Sequence, residues 1–380
     1  MDFGWSDDDI EFRQSLHSFA EAELHGVWSG PVRHLGSPAN VAYSKHFCGE
    51  LARRGWLTPH WPAEHGGREM TPWQHIVLGE ELWSIGEPRG PQYMNVNWIG
   101  PSIMAHGSAD QKRMHLPPIA RGDVIWCQGF SEPDAGSALA SLRTKADRDG
   151  AEYVVNGQKI WTSYASVANF CYLLVRTDPE SRGHRGISVL LVPTGTPGFE
   201  MRPVRSVVGE HAFHELFFHD MRVPEACRLG PENEGWAVVR EALAFERVGA
   251  PRYARAARVL DDAMAWAAEH GRSIPARSRE RAAQARAACE AARLLAYRVI
   301  DERAHKQPPT PNVYLARAAM VHAERLVGQV VTELLGSDAL EQGSIADEQL
   351  RKALAAGLAG GSYEMQLNLI ARLKLNLPKA

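Results

Sequence analysis

Cysteine is scarce in this chain: five among 380 residues, at Cys48, Cys127, Cys171, Cys227 and Cys289. The number is odd and no two stand in C-x-x-C spacing, so neither a disulfide framework nor a zinc site is expected. The thiols read as reduced, in a cytoplasmic compartment. An excess of one charge is missing too. Forty-two Lys and Arg oppose 45 Asp and Glu, a net of −3 with the signs interspersed, which gives no electrostatic reason to expect nucleic acid or an anionic membrane as partner. No apolar run approaches the roughly 20 residues of a membrane helix. The opening MDFGWSDDDIEF is acidic and lacks a basic stretch followed by an apolar one, so no signal peptide is expected. Internal repeats and low-complexity tracts are absent. What is present is length, and 44% hydrophobic residues, enough for a subunit of two or three lobes around a substantial core.

The pattern along the chain changes twice. Residues 1–122 read as a helical domain: Ser6 precedes an acidic first turn as an N-cap does, and Phe12, Leu16 and Phe19 recur at helical spacing. Gly66-Gly67 and Pro117-Pro118 punctuate it. Residues 123–230 turn to strands, in Cys171–Val175 and Ile187–Val192, separated by a polar loop from Asp178 to Arg185. Residues 231–380 are rich in Ala, Leu and Arg with helical periodicity, broken at Gly271–Pro275, Pro308–Pro311 and Gly360-Gly361. One helix is expected from about Gly235 to Trp266. The fold class is therefore α+β, with a β-domain between two helical ones.

The most informative stretch is WCQGFSEPDAGSALASLRTKADRDGAEYVVNGQKIWTS, residues 126–163. It reads as one β-meander with a polar turn at one end and a Trp at the other, an arrangement suited to gripping a flat cofactor. Hydroxyls and backbone N–H groups of Ser131 to Ser137 gather beside Gly136, where a ligand can approach the backbone closely. Asn156-Gly157 is a hairpin signal, and the returning strand puts Trp161 and Ser163 on one face with Thr162 on the other. Taken alone, the residues also admit Trp161 as a core side chain and the turn as a plain loop.

This segment resembles the flavin-binding region of the acyl-CoA dehydrogenase family, T-E-P-x-A-G-S-D followed by N-G-x-K-x-W-I-T. The resemblance runs on through Phe213–Pro224, Asn233-Glu234-Gly235-Trp236 and Gly360-Gly361-Ser362-Tyr363-Glu364-Met365-Gln366. It implies a subunit of three parts, an N-terminal helical domain, a central β-barrel or sandwich and a C-terminal four-helix bundle. It also implies FAD as cofactor and oxidation of an acyl-CoA thioester to the enoyl-CoA. On that basis Gln128, Phe130 and Ser131 meet the isoalloxazine edge, Gly136 and Ser137 border the cofactor, Trp161 stacks on the ring and Ser163 bonds near N5. Ser362 and Glu364 face the ribose and adenine side. Ser137, Arg247, Gly249 and Gly360 are the implied substrate contacts.

Many members carry the α-proton base in a Tyr-Glu-Gly-Thr loop; the aligned residues here are Ala359-Gly360-Gly361-Ser362, without a carboxylate. The family's alternative base lies in a Leu-x-x-Glu-Arg segment, matched by Leu243–Arg247, so the resemblance assigns the base to Glu246. On a helix its same-face neighbours are Ala242, Leu243, Gly249 and Ala250, three of them small, which leaves room for a ligand that would desolvate the carboxylate and raise its pKa. Glu234 and Glu241 match no family base position. His211, His214 and His219 are three and five residues apart on a strand, so they point to different faces and read as solvent-side rather than as metal ligands. Ala287 to Arg298 is basic but without aromatic interleaving, and reads as a solvated or subunit-facing helix.

Two segments depart from the family. Arg-x-x-Phe-Gly, which in homomers a neighbouring subunit lends to the FAD, is replaced around His270–Ala276, and Gln-x-x-Gly-Gly-x-Gly by Glu333–Ala339, with acids where phosphates would lie. The chain resembles subunits of the heteromeric α2β2 dehydrogenases of actinobacterial steroid catabolism. The implied partners are a paralogous subunit, an acyl-CoA and electron-transfer flavoprotein. The competing readings are a non-catalytic partner subunit and a related oxidase or tailoring flavoenzyme.

Overall fold

The computed structural model describes residues 5–24, 36–240, 242 and 250–378. They fall into two compact units, one gathering Met1–Val32, Met70–Pro88 and Glu246–Ala380, the other Arg33–Glu69 and Arg89–Phe245. In the first unit α1 (Asp7–Glu23) starts as its sequence requires: the Ser6 hydroxyl accepts the Asp9 N–H at 3.2 Å and the Ser6 N–H donates to the Asp9 carboxylate at 3.3 Å. Phe12, Leu16 and Phe19 are its buried stripe. The next helix of this unit, Pro72–Ser84, has the same reciprocal cap between Thr71 and Gln74 and a proline in its first turn.

The C-terminal part of the unit holds Arg252–Glu269, Ala276–Ala304, Asn312–Leu335, Ile345–Ala355 and Tyr363–Leu373 as helices. The breaks expected near Gly271–Pro275 and Pro308–Pro311 are there. The continuous helix expected from Gly235 to Trp266 is not: Ala250 and Pro251 are non-helical, and a new helix starts at Arg252. Proline lacks the N–H a helix interior needs and disfavours helical geometry in the residue before it. Ala282, Ala285, Cys289, Ala292 and Ala296 form a small-residue seam buried with Met320, Ala323, Val327 and Val331, which lets two long helices approach closely.

One polar knot holds four helices of this unit. The carboxylate of Glu80, 6% exposed, accepts the Tyr253 and Tyr297 hydroxyls and the Arg13 guanidinium, each at 2.8 Å. Arg13 also donates to Glu81 at 2.6 Å. Burial and the adjoining carboxylate push the Tyr253 hydroxyl well above the usual tyrosine range. Replacing Glu80 with Ala leaves buried hydroxyls and half a guanidinium unpartnered and should cost about 3–5 kcal/mol, whereas Tyr253→Phe should cost about 1 kcal/mol. Urea denaturation of both variants checks this, and a loss below about 1 kcal/mol for Glu80→Ala would show the knot to be dispensable.

The second unit is built on an eight-stranded sheet: β1 (Trp126–Gly129), β2 (Lys145–Asp149), β3 (Glu152–Ser163), β4 (Phe170–Arg176), β5 (Ile187–Pro193), β6 (Phe199–Ser206), β7 (Gly209–Pro224) and β8 (Arg228–Leu229). Its order is β6-β7-β3-β2-β4-β5-β8, with β1 parallel to β4. The strands foreseen at Cys171–Val175 and Ile187–Val192 pair antiparallel, Cys171 opposite Val192. Residues 126–163 are not one meander, because β1 joins β4 rather than β2. Nor is Asn156-Gly157 a hairpin. The β2–β3 hairpin turns at Gly150-Ala151, between the paired Asp149 and Glu152, while Asn156-Gly157 sits inside β3 at a bulge against β7. There the Asn156 amide bonds Asp220 twice, and Gly157 lies so close to the residue that precedes β2 that a Cβ would fall 2.7 Å from the Thr144 Cα.

Helical segments of this unit fix the start of β1. The Asn95 side chain, in a π-helical turn at Asn95–Ile99, accepts the Trp126 N–H at 3.1 Å and donates to the Val124 carbonyl at 2.7 Å. Trp126 stacks on Phe170 with ring centres 4.8 Å apart, and His115 stands edge-on to both. Burial pushes the His115 pKa down, which favours its neutral form in this aromatic nest.

Candidate functional site

The site begins at the end of β1 and crosses to β3. The chain leaves β1 through half-buried Gln128, Phe130 and Ser131, closes a tight turn in which Glu132 and Ala135 exchange backbone bonds of 3.1 and 3.0 Å, and emerges at exposed Gly136 and Ser137. A Cβ on Gly136 would meet nothing within 4 Å, so the space beside that backbone is open. Buried Arg176 holds the far side of the loop by donating to the carbonyls of Ala140 at 2.9 Å and Leu142 at 3.3 Å. The turn lies directly on β3, where the Ile160 N–H donates to the Ser131 carbonyl at 2.9 Å.

At that point β3 breaks register with β7 between Lys159 and Thr162, and the break re-aims Trp161. Trp161 is 54% exposed and its backbone is left-handed, with φ +62°. Tyr164 repeats that conformation at φ +60°. A left-handed Trp costs on the order of 1–3 kcal/mol, strain that concentrates at ligand sites. Thr162 turns into the interior, and Ser163 is half-buried opposite Phe213, whose ring meets Trp161 edge-on at 5.9 Å. The faces expected for Trp161, Thr162 and Ser163 are those found, and the core reading of Trp161 is excluded. Open backbone at Gly136, the hydroxyls of Ser131 and Ser163 and an uncovered indole fit a flat heterocycle with polar edges.

Two further expectations fall elsewhere. His214 is buried at 3% exposure, not solvent-side as the sequence suggested, because it sits opposite inward-facing Thr162 after the bulge; His219 is exposed. Among the described residues no group of His, Cys, Asp and Glu side chains converges as a metal site, and no helix is long and apolar enough to cross a membrane. Glu241, Glu246, Arg247 and Gly249 lie outside the described residues. Gly360, Ser362 and Glu364 belong to the first unit. There Gly360 and Gly361 take φ of +69° and +86°, the Arg317 guanidinium donates to the Ala356 and Ala359 carbonyls at 2.9 Å each, and the Ser362 hydroxyl caps the last helix at the Met365 N–H. Glu364 is exposed on the first turn of that helix.

The sequence reading missed Glu132 and Lys159. Lys159 is fully buried and donates to the Glu132 carboxylate at 2.9 Å and to the Phe130 carbonyl at 3.0 Å. Glu132 also accepts the N–H groups of Arg143 and Thr144 at 2.6 and 2.8 Å. Burial alone would raise its pKa, but the Lys159 charge and these donors hold the carboxyl below its ordinary range; burial pushes Lys159 down despite its partner. A signal existed. In strict alternation Lys159 shares the inward phase of Tyr153 and Val155, and a lysine there needs a buried acceptor.

Because Trp161 packs little and its conformation is strained, Trp161→Ala and Trp161→Gly should each change unfolding free energy by less than about 1 kcal/mol, not the roughly 3–5 kcal/mol of a buried Trp. Urea melts decide this; a loss of several kcal/mol would assign Trp161 to the core after all.

Three family models match the chain: "Acyl-CoA dehydrogenase, N-terminal domain" over residues 6–123, "middle domain" over 127–221 and "C-terminal domain" over 233–375. The chain is 36% identical to acyl-CoA dehydrogenase FadE26 of Mycobacterium tuberculosis over 351 residues, 87% of either protein. Among solved structures it resembles the Tcur3481-Tcur3483 steroid ACAD, with a TM-score of 0.90, 30% identity and full coverage of both chains. The ChsE4-ChsE5 complex from Mycobacterium tuberculosis gives a TM-score of 0.84 at 30% identity, again with full coverage of both chains. From end to end, then, the chain belongs to the acyl-CoA dehydrogenase family of oxidoreductases, with the family's N-terminal helical, middle β and C-terminal helical domains.

Proposed function

We propose that this chain is the catalytic subunit of a heteromeric, FAD-dependent acyl-CoA dehydrogenase, cytoplasmic, that converts a bulky CoA ester of the steroid side-chain type to its trans-2-enoyl-CoA. Its domains run 1–122, 123–230 and 231–380. The observation that carries the reading is the exposed, left-handed Trp161 set beside the Ser131 turn. Gln128, Phe130, Ser131, Trp161 and Ser163 would hold the flavin ring, Gly136 and Ser137 its approach, and Ser362 and Glu364 its nucleotide end. Bound FAD would supply the hydride acceptor. Glu246 would take the α-proton, with Arg247, Gly249, Ser137 and Gly360 around the thioester and electron-transfer flavoprotein as electron acceptor. The steroid class rests on the neighbouring structure described as a steroid ACAD.

The subunit composition rests on charge. The two segments that depart from the family are tied to one another by Arg272 on Asp338, and Glu333 is taken by Arg281 and by the Ser278 hydroxyl, just past the first segment, at 2.6 Å. Neither offers a free cation to a diphosphate. Leu350, Leu354, Leu358, Leu367 and Leu373 stand exposed on the last two helices and the turn between them, apolar surface that a paralogous subunit in an α2β2 assembly would cover.

Two experiments test this. Glu246→Gln should keep bound FAD and acyl-CoA affinity while turnover falls by about 10²–10⁴-fold; more than about a tenth of wild-type turnover would reject the base. Purified alone the chain should be flavin-poor and nearly inactive, and co-expressed with its paralogue it should hold one FAD per heterodimer. A stable homomer with one FAD per chain and full activity would sink the heteromer reading.

A further inference from the structure

We infer that the buried Lys159–Glu132 pair is a positioning device for Ser131, aiming the Ser131 N–H and hydroxyl at the acceptor edge of the bound heterocycle. The inference rests on the flavin reading of this face. Three strand or loop segments meet on the pair: the turn after β1 through Glu132, the loop leading into β2 through the N–H groups of Arg143 and Thr144, and β3 through Lys159. Its effect on Ser131 is direct. Lys159 Nζ captures the Phe130 carbonyl at 3.0 Å, and the Ile160 N–H captures the Ser131 carbonyl at 2.9 Å, so the peptide units on both sides of Ser131 are fixed. A trans peptide is planar with C=O and N–H opposed. With the Phe130 carbonyl drawn to Lys159, the Ser131 N–H must point to the other side.

Energetics favour this role over simple stabilisation. A buried ion pair gains little or nothing over apolar residues of the same volume, because the desolvation of both ions offsets their attraction. Lys159 is 0% and Glu132 7% exposed, and the lysine stem already packs beside Gly129, where a Cβ would lie 3.6 Å from the Lys159 Cγ and 2.7 Å from Leu173. An apolar pair would fill the same space. What it would not do is accept the Arg143 and Thr144 N–H groups and grip the backbone carbonyl next to Ser131.

The test uses Lys159→Met, Glu132→Gln and the double variant, in protein purified in its flavin-loaded form. Lys159→Met alone leaves a buried carboxylate uncompensated and should depress the melting temperature. The double variant removes both charges and should recover most of it, keeping the measurement interpretable if the single variant fails to fold. In the double variant the Ile160 and Ala135 amides, which are bonded to the Ser131 and Glu132 carbonyls, should exchange about tenfold faster in flavin-stripped protein. FAD should bind about tenfold more weakly and its visible absorption band should shift. Wild-type amide exchange in the double variant would overturn the proposal and leave the pair a folding element only. Faster exchange with unchanged FAD affinity and spectrum would overturn it as well. If Trp161→Ala also keeps its flavin, the flavin reading of this face fails with it.

Discussion

The pairing of β3 with β7 is the constraint on which the second unit depends. Both strands are long, and two register breaks divide the pairing into three stretches. An unbroken ladder would keep strict alternation, and Trp161 would then share the inward phase of Tyr153, Val155 and Lys159. The second break turns Trp161 outward, Thr162 inward and the Ser131 turn onto the strand edge. The first lets β2 approach β3 at Gly157. Each break has its own anchor: the Asn156 amide on Asp220 for one, the left-handed backbone of Trp161 and Tyr164 for the other.

Each unit then ties its elements through a buried carboxylate. Glu80 gathers two tyrosines and an arginine from three helices around its own, and Glu132 gathers a lysine from β3 and two backbone amides from the loop that leads into β2. A third knot lies among the C-terminal helices, where Arg255, 6% exposed, donates to fully buried Gln349 at 2.7 Å, and Gln349 to the Glu324 carbonyl at 3.3 Å. These bonds have direction, which apolar packing lacks. Alanine seams allow many sliding registers between two helices, while a carboxylate with three fixed donors allows few. The Ala-rich helix Ala276–Ala304, whose central buried seam is alanine and cysteine, gains its register from Tyr297 on Glu80 and from Ser278 and Arg281 on Glu333.

Local signals in the sequence were legible where one rule acted alone. Ser6 capped its helix, the apolar runs at Cys171 and Ile187 became paired strands, and the helix breaks near Gly271 and Pro308 fell as read. Where two rules competed, the tertiary one won. Asn156-Gly157 carries a hairpin signal, but a two-residue turn at Gly150-Ala151 satisfied the β2–β3 pairing first and left Asn-Gly to serve a bulge. The periodicity from Gly235 onward suggested one helix, and Pro251 cut it. Of the site, the turn and the indole could be found from residue types and spacing. Lys159 betrayed itself only as a lysine in an inward phase; that Glu132 is its acceptor could not be read, because the two are 27 residues apart and their meaning lies in what they hold.

The same distinction applies to the two segments that differ from the family. In sequence, Asp338 and Glu333 look like acids placed where a diphosphate would be repelled. In the structure they are not bare charges, for Asp338 is neutralised by Arg272 and Glu333 by Arg281. Repulsion is therefore the weaker part of the effect. The stronger part is that Arg272 lies over the Trp266 ring, at 5.1 Å, with its guanidinium already on a carboxylate, so any anion arriving there must first displace an ion pair. A half-exposed pair of this kind contributes about 0–1 kcal/mol to folding, which is small. As a barrier to a diphosphate it counts twice, withdrawing a donor and presenting an acceptor in its place. This is the charge pattern on which the proposed heteromer rests, in which another subunit would bring the donors.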